Sequence, residues 1–405
     1  MKSPTKYVVC VPDGAADEPI AELGGRTPLE AAAMPYLASL AAVGEVGLAA
    51  TIPPGFPPGS DVGNLSILGY DPARYHTGRA PIEAAAMGLR LRPDQVAYRC
   101  NLVTLGADGT MVDFAGGHPS SEEAAQVIAT LDAELGAGRR AADGASPIPA
   151  AISFHAGVQY RHIVLAPREL AEAECTPPHD LTGRAAVWPT GPAAPVLRDL
   201  MEASRDVLSR FDIAANQIWL WGQGPQPEIP PFADAYGLQA ALVSAVDLVR
   251  GLGALAGIPA VAVEGATGWY DTNYEGKRDA CLRTLADGAD LFLIHVEASD
   301  EAGHAGDLEE KVRALENWDS RIIGPLVGAL DDAIADQGPW RLLLLPDHPT
   351  ALRTRTHTAE PVPYLLVDST RSGPGGTFSE TALAGHTPVP GHTLMARLVG
   401  HGPHT

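Results

Sequence analysis

Four short stretches of the chain carry side chains suited to binding cations. "SDEAGHAGD" holds Asp300 and His304, "LPDHPT" holds Asp347 and His348, "RTRTHTAEPVPYLL" holds His357, and "VPDGAAD" holds Asp13. Mixed carboxylate and imidazole ligands suit Mn²⁺, Zn²⁺, Fe²⁺ or Co²⁺ better than Ca²⁺ or a thiolate site. Three aspartates and three histidines are enough for two metals in one cleft. A metal pair can clamp the attacking and leaving oxygens of a phosphoryl transfer. Each stretch alone has a plainer explanation. Asp13-Gly14 reads as a turn, Asp300 as a helix cap with a surface histidine after it, and His357 as a loop residue. Asp347-His348 is harder to dismiss, because polar groups at the end of a leucine run need partners. Together, at the ends of apolar runs, they favour a metal site.

A nucleophile candidate lies in "PGSDVGNLSILGYDP". The Ser60 hydroxyl is weak until something lowers its pKa. No GxSxG elbow surrounds it, so a metal is the available activator. Gly59 frees the preceding backbone and a helix can begin here, which would hold a transferred phosphate against backbone N–H groups. The competing reading makes Ser60 a helix N-cap, and a two-metal site nearby tips the balance toward the nucleophile.

These residues need elements to position them. "YVVCVPDG", "DLFLIHV" and "RLLLLPDHP" are near-continuous apolar runs of strand length, as in strands buried on both faces of a parallel sheet. "IPAVAVEGATG" and "NQIWLWGQG" read as further strands. "TPLEAAAMPYLASLAAVG" reads as helix-rich. So does the run after His304, with Val312, Leu315, Trp318 and Ile322 at three- and four-residue steps. This alternation predicts an α/β fold with a doubly wound, mostly parallel sheet, whose ligands sit beyond the carboxyl ends of the strands. The middle is richer in Gly, Pro and Ala turns ("GRRAADGASPIPAA", "PTGPAAP"), with its own strand "QYRHIVL" and helix "SSEEAAQVIATLDAEL". It predicts a smaller α/β (α+β) domain over 101–240, inserted into a metal-binding core built from 1–100 and 241–405.

Charge narrows the partners. The net charge of −21, from 28 basic and 49 acidic residues, argues against a nucleic-acid surface and against docking on anionic lipid. A small anion would need metals or a few placed arginines. No apolar run reaches the ~18 residues of a membrane span, and the N-terminus does not read as a signal peptide. The scattered Cys10, Cys100, Cys175 and Cys281 argue against disulfides and cysteine zinc sites. These features predict a cytoplasmic protein.

The chain resembles the cofactor-independent phosphoglycerate mutases, in the archaeal-type branch of the alkaline phosphatase superfamily. The matching motifs are "VPDGAAD", "PPGSDVGNLSILGYDP", "YHTGRAPIEAAAMG", "YRCNLVTL", "GATGWYDTNYEGK", "HVEASDEAGHAGD", "PDHPT" and "RTHTAEPVPYLL". They keep the family's order and span nearly the whole chain. The resemblance implies an alkaline-phosphatase-like core with an inserted substrate-binding domain. It implies that 3-phosphoglycerate and 2-phosphoglycerate interconvert through a phosphoserine on Ser60, without 2,3-bisphosphoglycerate. Asp13, Ser60, Asp347 and His348 would surround one divalent metal, and Asp300, His304 and His357 the other. Mn²⁺ is the first choice, with Co²⁺, Zn²⁺ and Mg²⁺ open. The inserted domain would hold the glycerate and close over it, excluding water. His118, Arg161, Arg184 and Lys277 are the predicted substrate contacts, Arg161 being suited to a bidentate grip on a carboxylate or phosphate.

Two positions depart from the family. Gly63 stands where related sequences often carry alanine, and Gln223 where they often carry another polar or basic residue. Other functions stay open: a metal-dependent phosphotransferase or phosphatase acting on another phosphate ester or phosphonate, including a homoserine kinase-like role, or a non-enzymatic metal-binding protein. No G-x-x-x-x-G-K-[ST] loop supports a common nucleotide site. The sequence leaves the oligomeric state open.

Overall fold

Fourteen strands occur in the computed structural model, which describes residues 5–136 and 151–403. They are β1 (Lys6–Pro12), β2 (Glu45–Ala50), β3 (Gln95–Leu105), β4 (Met111–Asp113), β5 (Ser153–Val158), β6 (Arg161–Pro167), β7 (Gln217–Gly224), β8 (Ala240–Val243), β9 (Leu291–Val296), β10 (Trp340–Leu344), β11 (Thr350–Ala351), β12 (Thr356–His357), β13 (Val362–Asp368) and β14 (Val389–Pro390). The predicted turn-rich stretch "GRRAADGASPIPAA" lies, up to residue 150, outside the described residues.

The chain forms two units. One contains the chain through His76 and from Ile229 onward, and the other is Thr77–Glu228. These divisions differ from the predicted 100/101 and 240/241. The reason is hydrogen bonding: β3 pairs along its length with β6 and β7, so residues 77–100 go with that sheet. The Phe232–Tyr236 helix goes with the first unit.

The first unit has a seven-stranded sheet in the order β14-β2-β13-β10-β1-β9-β8. Strands β10, β1, β9 and β8 run parallel, while β13 is antiparallel to both its neighbours. The central strands are mostly apolar, as suits strands covered on both faces, and every residue of β9 is buried, His295 included. In register, Cys10 pairs with Leu344 and Pro12 with Val296. Three adjacent strands therefore end together.

Two expectations hold with added detail and a third needs correction here. "TPLEAAAMPYLASLAAVG" makes two helices, Pro28–Ala31 and Pro35–Ala41, because Pro35 cannot donate into a continuing helix. The helix predicted after His304 continues through a π-turn at Trp318–Ile323. There it buries Leu315, Trp318 and Ile322, and also Lys311. "IPAVAVEGATG" makes only one bridge, Leu242 to Ala260. Pro259 has no N–H to give a ladder, and Ala260 faces solvent.

The second unit is an antiparallel sheet, β4-β3-β6-β5 with β7 also on β3. The helices Ser121–Leu135 and Ala194–Leu208 supply Val127, Ile128, Leu131, Leu197, Leu200 and Met201 to its core. A capping box between Ser120 and Glu123 starts the first of these helices. The four cysteines are free thiols. Among the described residues, no helix is long and apolar enough to cross a membrane.

Candidate metal centre

Asp13 follows the last residue of β1, Asp300 lies on the helix Ala298–Ala305 that follows β9, and Asp347-His348 follow β10. Because these strands are parallel neighbours, three distant parts of the sequence meet at one sheet edge. The two-residue pair β11–β12 then sets His357 opposite Thr350. The fourth contribution is the helix Ser60–Ile67. Its N-cap is Gly59, which places Ser60 inside the first turn rather than at the cap.

The buried half of the site centres on His348. Its Nε2 lies 3.1 Å from Ser60 Oγ, 3.4 Å from Asp347 Oδ2 and 3.6 Å from Asp13 Oδ1. Burial pushes the His348 pKa down to about 4, which leaves the ring neutral and able to ligate. Asp347 is held from outside: Gly14 N and His348 N donate to Oδ1, and Asn64 Nδ2 donates to Oδ2 at 2.8 Å. Asn64 also donates to Ser60 O, which locks the nucleophile's turn to the Asp347 loop. Gly63 has a packing role there. A Cβ on it would stand 2.5 Å from Asp347 O, so the helix approaches that loop only without a side chain.

The outer half centres on Asp300. His304 Nε2 lies 3.3 Å from Asp300 Oδ2, and His357 Nε2 lies 3.3 Å from Asp300 Oδ1. Thr350 Oγ1 donates to Asp300 Oδ1. His304 Nδ1 faces the Arg355 carbonyl at 3.0 Å, which turns its Nε2 inward to within 2.9 Å of His357 Nε2. Two inward ring nitrogens at this distance need a proton or a metal ion between them. Burial acts against charge on His304, but the Asp300 hydrogen bond and charge outweigh it and raise its pKa to about 9.

The donor set fits divalent cations. Asp13, Asp347 and His348 present ligand atoms within 4.8 Å of one another, and so do Asp300, His348 and His357. His348 thus stands in both groups, where the sequence reading placed it only in the set with Asp13, Ser60 and Asp347. Asp13 Oδ1 is buried without a hydrogen-bond partner. Burial, then the charges of Asp347 and Asp300, push the Asp13 pKa well above the carboxylate range. A carboxylate this buried among others ionises only if positive charge joins it.

Lys277 corrects the prediction. It is fully buried, with Nζ donating to Glu297 Oε2 at 2.5 Å and to the His295 carbonyl at 2.8 Å. A lysine so enclosed does not meet a substrate. Sequence reasoning missed its partners Glu297 and His295, and it missed Asn64 and Thr350. Asn64 was findable, since it stands four residues after Ser60 on one helix face.

His118, Arg161 and Arg184 belong to the second unit. His118 and Arg161 are exposed and share the Tyr160 ring, His118 edge-on at 5.4 Å and the Arg161 guanidinium at 5.7 Å. Beside them are two arginines that the prediction left out. Arg79 and Arg99 lie 5.7 and 4.5 Å from the Trp221 ring, and each has Nε 3.1 Å from one oxygen of Glu83. The Arg99 contact is an ion pair too bent to be a hydrogen bond. Burial, against the opposing pull of Glu83, and then the charges of Arg79 and Arg161 lower the Arg99 pKa to about 10. One carboxylate among three guanidiniums leaves local positive charge in an acidic protein, which suits an anion. Arg184 is exposed and its charge acts on Asp180. Gln223 donates to the Ala173 carbonyl within the same unit, so its amide serves a loop contact.

Comparisons with known proteins find relatives over nearly the whole chain. The family model for 2,3-bisphosphoglycerate-independent phosphoglycerate mutase matches residues 41–214. A mutase of that name from Methanosarcina acetivorans is 46% identical over 384 residues, covering 92% of each chain. A probable one from Geobacter sulfurreducens is 42% identical over 413 residues, covering 97% of this chain and 99% of its own. Among solved structures, a protein of Pyrococcus horikoshii matches with a TM-score of 0.74 at 26% identity, covering 99% of this chain and 98% of its own. The cofactor-independent phosphoglycerate mutase of Thermoplasma acidophilum shares the fold, with a TM-score of 0.60 at 22% identity over 98% of this chain and 99% of its own.

Proposed function

Since the chain belongs to the family of 2,3-bisphosphoglycerate-independent phosphoglycerate mutases, we propose that it interconverts 3-phosphoglycerate and 2-phosphoglycerate through Ser60. It is a metal-dependent isomerase of glycolysis and gluconeogenesis. Ser60 Oγ takes the phosphoryl group from one glycerate oxygen and returns it to the neighbouring one. The net change is a shift of phosphate with no bisphosphoglycerate consumed. The observation that carries this reading is the convergence of Ser60 Oγ, Asp13 Oδ1 and Asp347 Oδ2 on His348 Nε2 within 3.6 Å.

Asp13, Ser60, Asp347 and His348 would hold one divalent ion, and Asp300, His304 and His357 the other. Such ions would lower the serine pKa and offset charge on the phosphoryl group. We take Mn²⁺ as the first choice for this donor set. The chain's own work is positional. Asn64 fixes the Ser60 turn against Asp347, Thr350 orients Asp300, and the Arg355 carbonyl sets the inward nitrogen of His304. His118, Arg161, Arg79 and Arg99 would grip the glycerate carboxylate or phosphate. Arg184 would be a peripheral contact. The reaction would take place in the cytoplasm.

The test is mutase activity without 2,3-bisphosphoglycerate in metal-stripped protein, with Mn²⁺, Co²⁺, Zn²⁺ or Mg²⁺ restored. Wild type turns over only with metal, and Ser60→Ala loses turnover by at least roughly 10³-fold while still binding metal. A Ser60→Ala variant with wild-type turnover refutes the phosphoserine route. Metal-loaded wild type inactive on both phosphoglycerates refutes the substrate.

A further inference from the structure

Behind Asp13 lies a buried polar chain that the reaction has not used. Lys277 Nζ donates to Glu297 Oε2. Glu297 Oε1 accepts from Ser244 Oγ at 3.0 Å and from Ala245 N at 2.7 Å, and lies 3.2 Å from His295 Nδ1. The other ring nitrogen, His295 Nε2, lies 3.4 Å from Asp13 Oδ2. Lys277 and His295 are wholly buried and Glu297 is 1% exposed.

His295 Nε2 and Asp13 Oδ1 both lack a hydrogen-bond partner. They stand on opposite sides of one carboxylate. Oδ1 faces His348, and Oδ2 faces His295. Buried polar atoms left unmatched in a native fold call for a reason. One cause explains both: a cation that takes Oδ1 brings Oδ2 into line with the ring behind it. Histidine and carboxylate partners of this kind orient metal ligands, and their loss typically costs 10- to 100-fold in metal affinity.

We infer that His295 is a positioning residue for the metal centre: its Nε2–H holds the outer oxygen of Asp13 while its Nδ1–H donates to Glu297, since both ring nitrogens face carboxylate oxygens that only accept, and Lys277 fixes Glu297. The inference rests on the proposed role of Asp13 as a ligand. Lys277, misplaced by sequence reasoning as a substrate contact, acquires a task in this arrangement. It neutralises Glu297, so that the carboxylate can brace the ring without adding unpaired charge beneath Asp13.

Two substitutions separate this role from plain support of the core. Asparagine places its amide where Nδ1 was, keeping the Glu297 side and losing the Asp13 side. Glutamine reaches the Nε2 position and keeps the Asp13 side. Mn²⁺ binding to metal-stripped protein is read by calorimetry and electron paramagnetic resonance for wild type, His295→Asn, His295→Gln and Asp13→Asn. His295→Asn weakens one of two Mn²⁺ sites by about 10- to 100-fold, Asp13→Asn weakens the same site, and His295→Gln stays within about threefold of wild type. Wild-type affinity in His295→Asn, or equal loss in both His295 variants, overturns the inference while leaving Asp13 a ligand. Wild-type affinity in Asp13→Asn overturns the ligand reading and this inference with it. Should His295→Asn not fold, nitrogen-15 spectra of Zn²⁺-loaded wild type decide. A protonated His295 Nε2 supports the inference, and a bare one overturns it.

Discussion

Replacing Gly14 with alanine tests how tightly the metal centre is built, and its effect can be worked out from two separable sources. Gly14 has φ +59°, a left-handed conformation that a side chain resists by about 1–2 kcal/mol. An added Cβ would also stand 2.5 Å from Asp300 Oδ1 and 2.9 Å from Asp300 Cα. Relieving that overlap means moving the start of the Ala298–Ala305 helix, at about 1–3 kcal/mol for an overpacked site. The sum is about 2–5 kcal/mol. Gly25 supplies the control, with φ +82° and nothing within 4 Å of its added Cβ. Gly25→Ala should show the backbone part alone. The assay is urea unfolding of both variants without metal, followed by Mn²⁺ titration. Gly14→Ala should be less stable than Gly25→Ala by about 1–3 kcal/mol, and it should bind one Mn²⁺ more weakly because Asp300 has shifted. Matching behaviour of the two variants in both measurements refutes the claim that the Asp13 turn packs directly on the Asp300 ligand.

Two further outcomes follow from the site. His304 has a pKa raised from 6.5 to about 9, so its proton stabilises the metal-free fold fully below pH 6.5, and that contribution is lost as pH rises through about 9. A cation at the same nitrogen displaces the proton. Metal uptake at pH 7 should therefore release a proton and strengthen by up to about tenfold per pH unit within that window; calorimetry in buffers of different ionisation enthalpy measures it, and uptake without proton release contradicts it. Arg161→Ala removes an exposed guanidinium and should raise KM for 3-phosphoglycerate by roughly 10- to 150-fold, the equivalent of a charged hydrogen bond of about 1.5–3 kcal/mol; an unchanged KM in steady-state kinetics takes Arg161 out of the grip.

Part of the candidate metal site was legible because Asp13, Asp347 and His348 stand at the ends of apolar strands. Asp13 and Asp347-His348 each stand just past a buried run, and a polar residue there is visible without any structure. The parallel arrangement that brings those ends together follows from alternating strands and helices. What stayed hidden depends on contacts across the fold. Lys277 sits in an ordinary helical stretch, and only the position of Glu297 at the far end of β9 shows that it is buried. Arg99 is one charge within an otherwise apolar strand, and its value comes from Arg79 and Glu83 on a neighbouring helix. The break at Pro35 was available from its missing N–H. For residues 258–263 the missing N–H of Pro259 was likewise available, but the exposure of Ala260 was not, because burial decides it and local pattern does not.

The strand order of the first unit also governs how the molecule is made. β1 is translated early, yet its neighbours β9 and β10 begin at Leu291 and Trp340. At about 5–20 residues per second on the ribosome, β1 waits roughly 15 to 55 s for β9. The strands of the second unit all lie within Thr77–Glu228, so that unit can complete itself while the first is still half-made. Throughout that interval "VVCV" is an unpaired apolar strand, the kind of segment that chaperones hold and aggregates recruit. The central sheet, and with it the whole ligand set, closes only after the last third of the chain has emerged. On the proposed two-metal reading, metal capture would be a late event in biogenesis, and a nascent chain stalled before β10 would lack part of the ligand set.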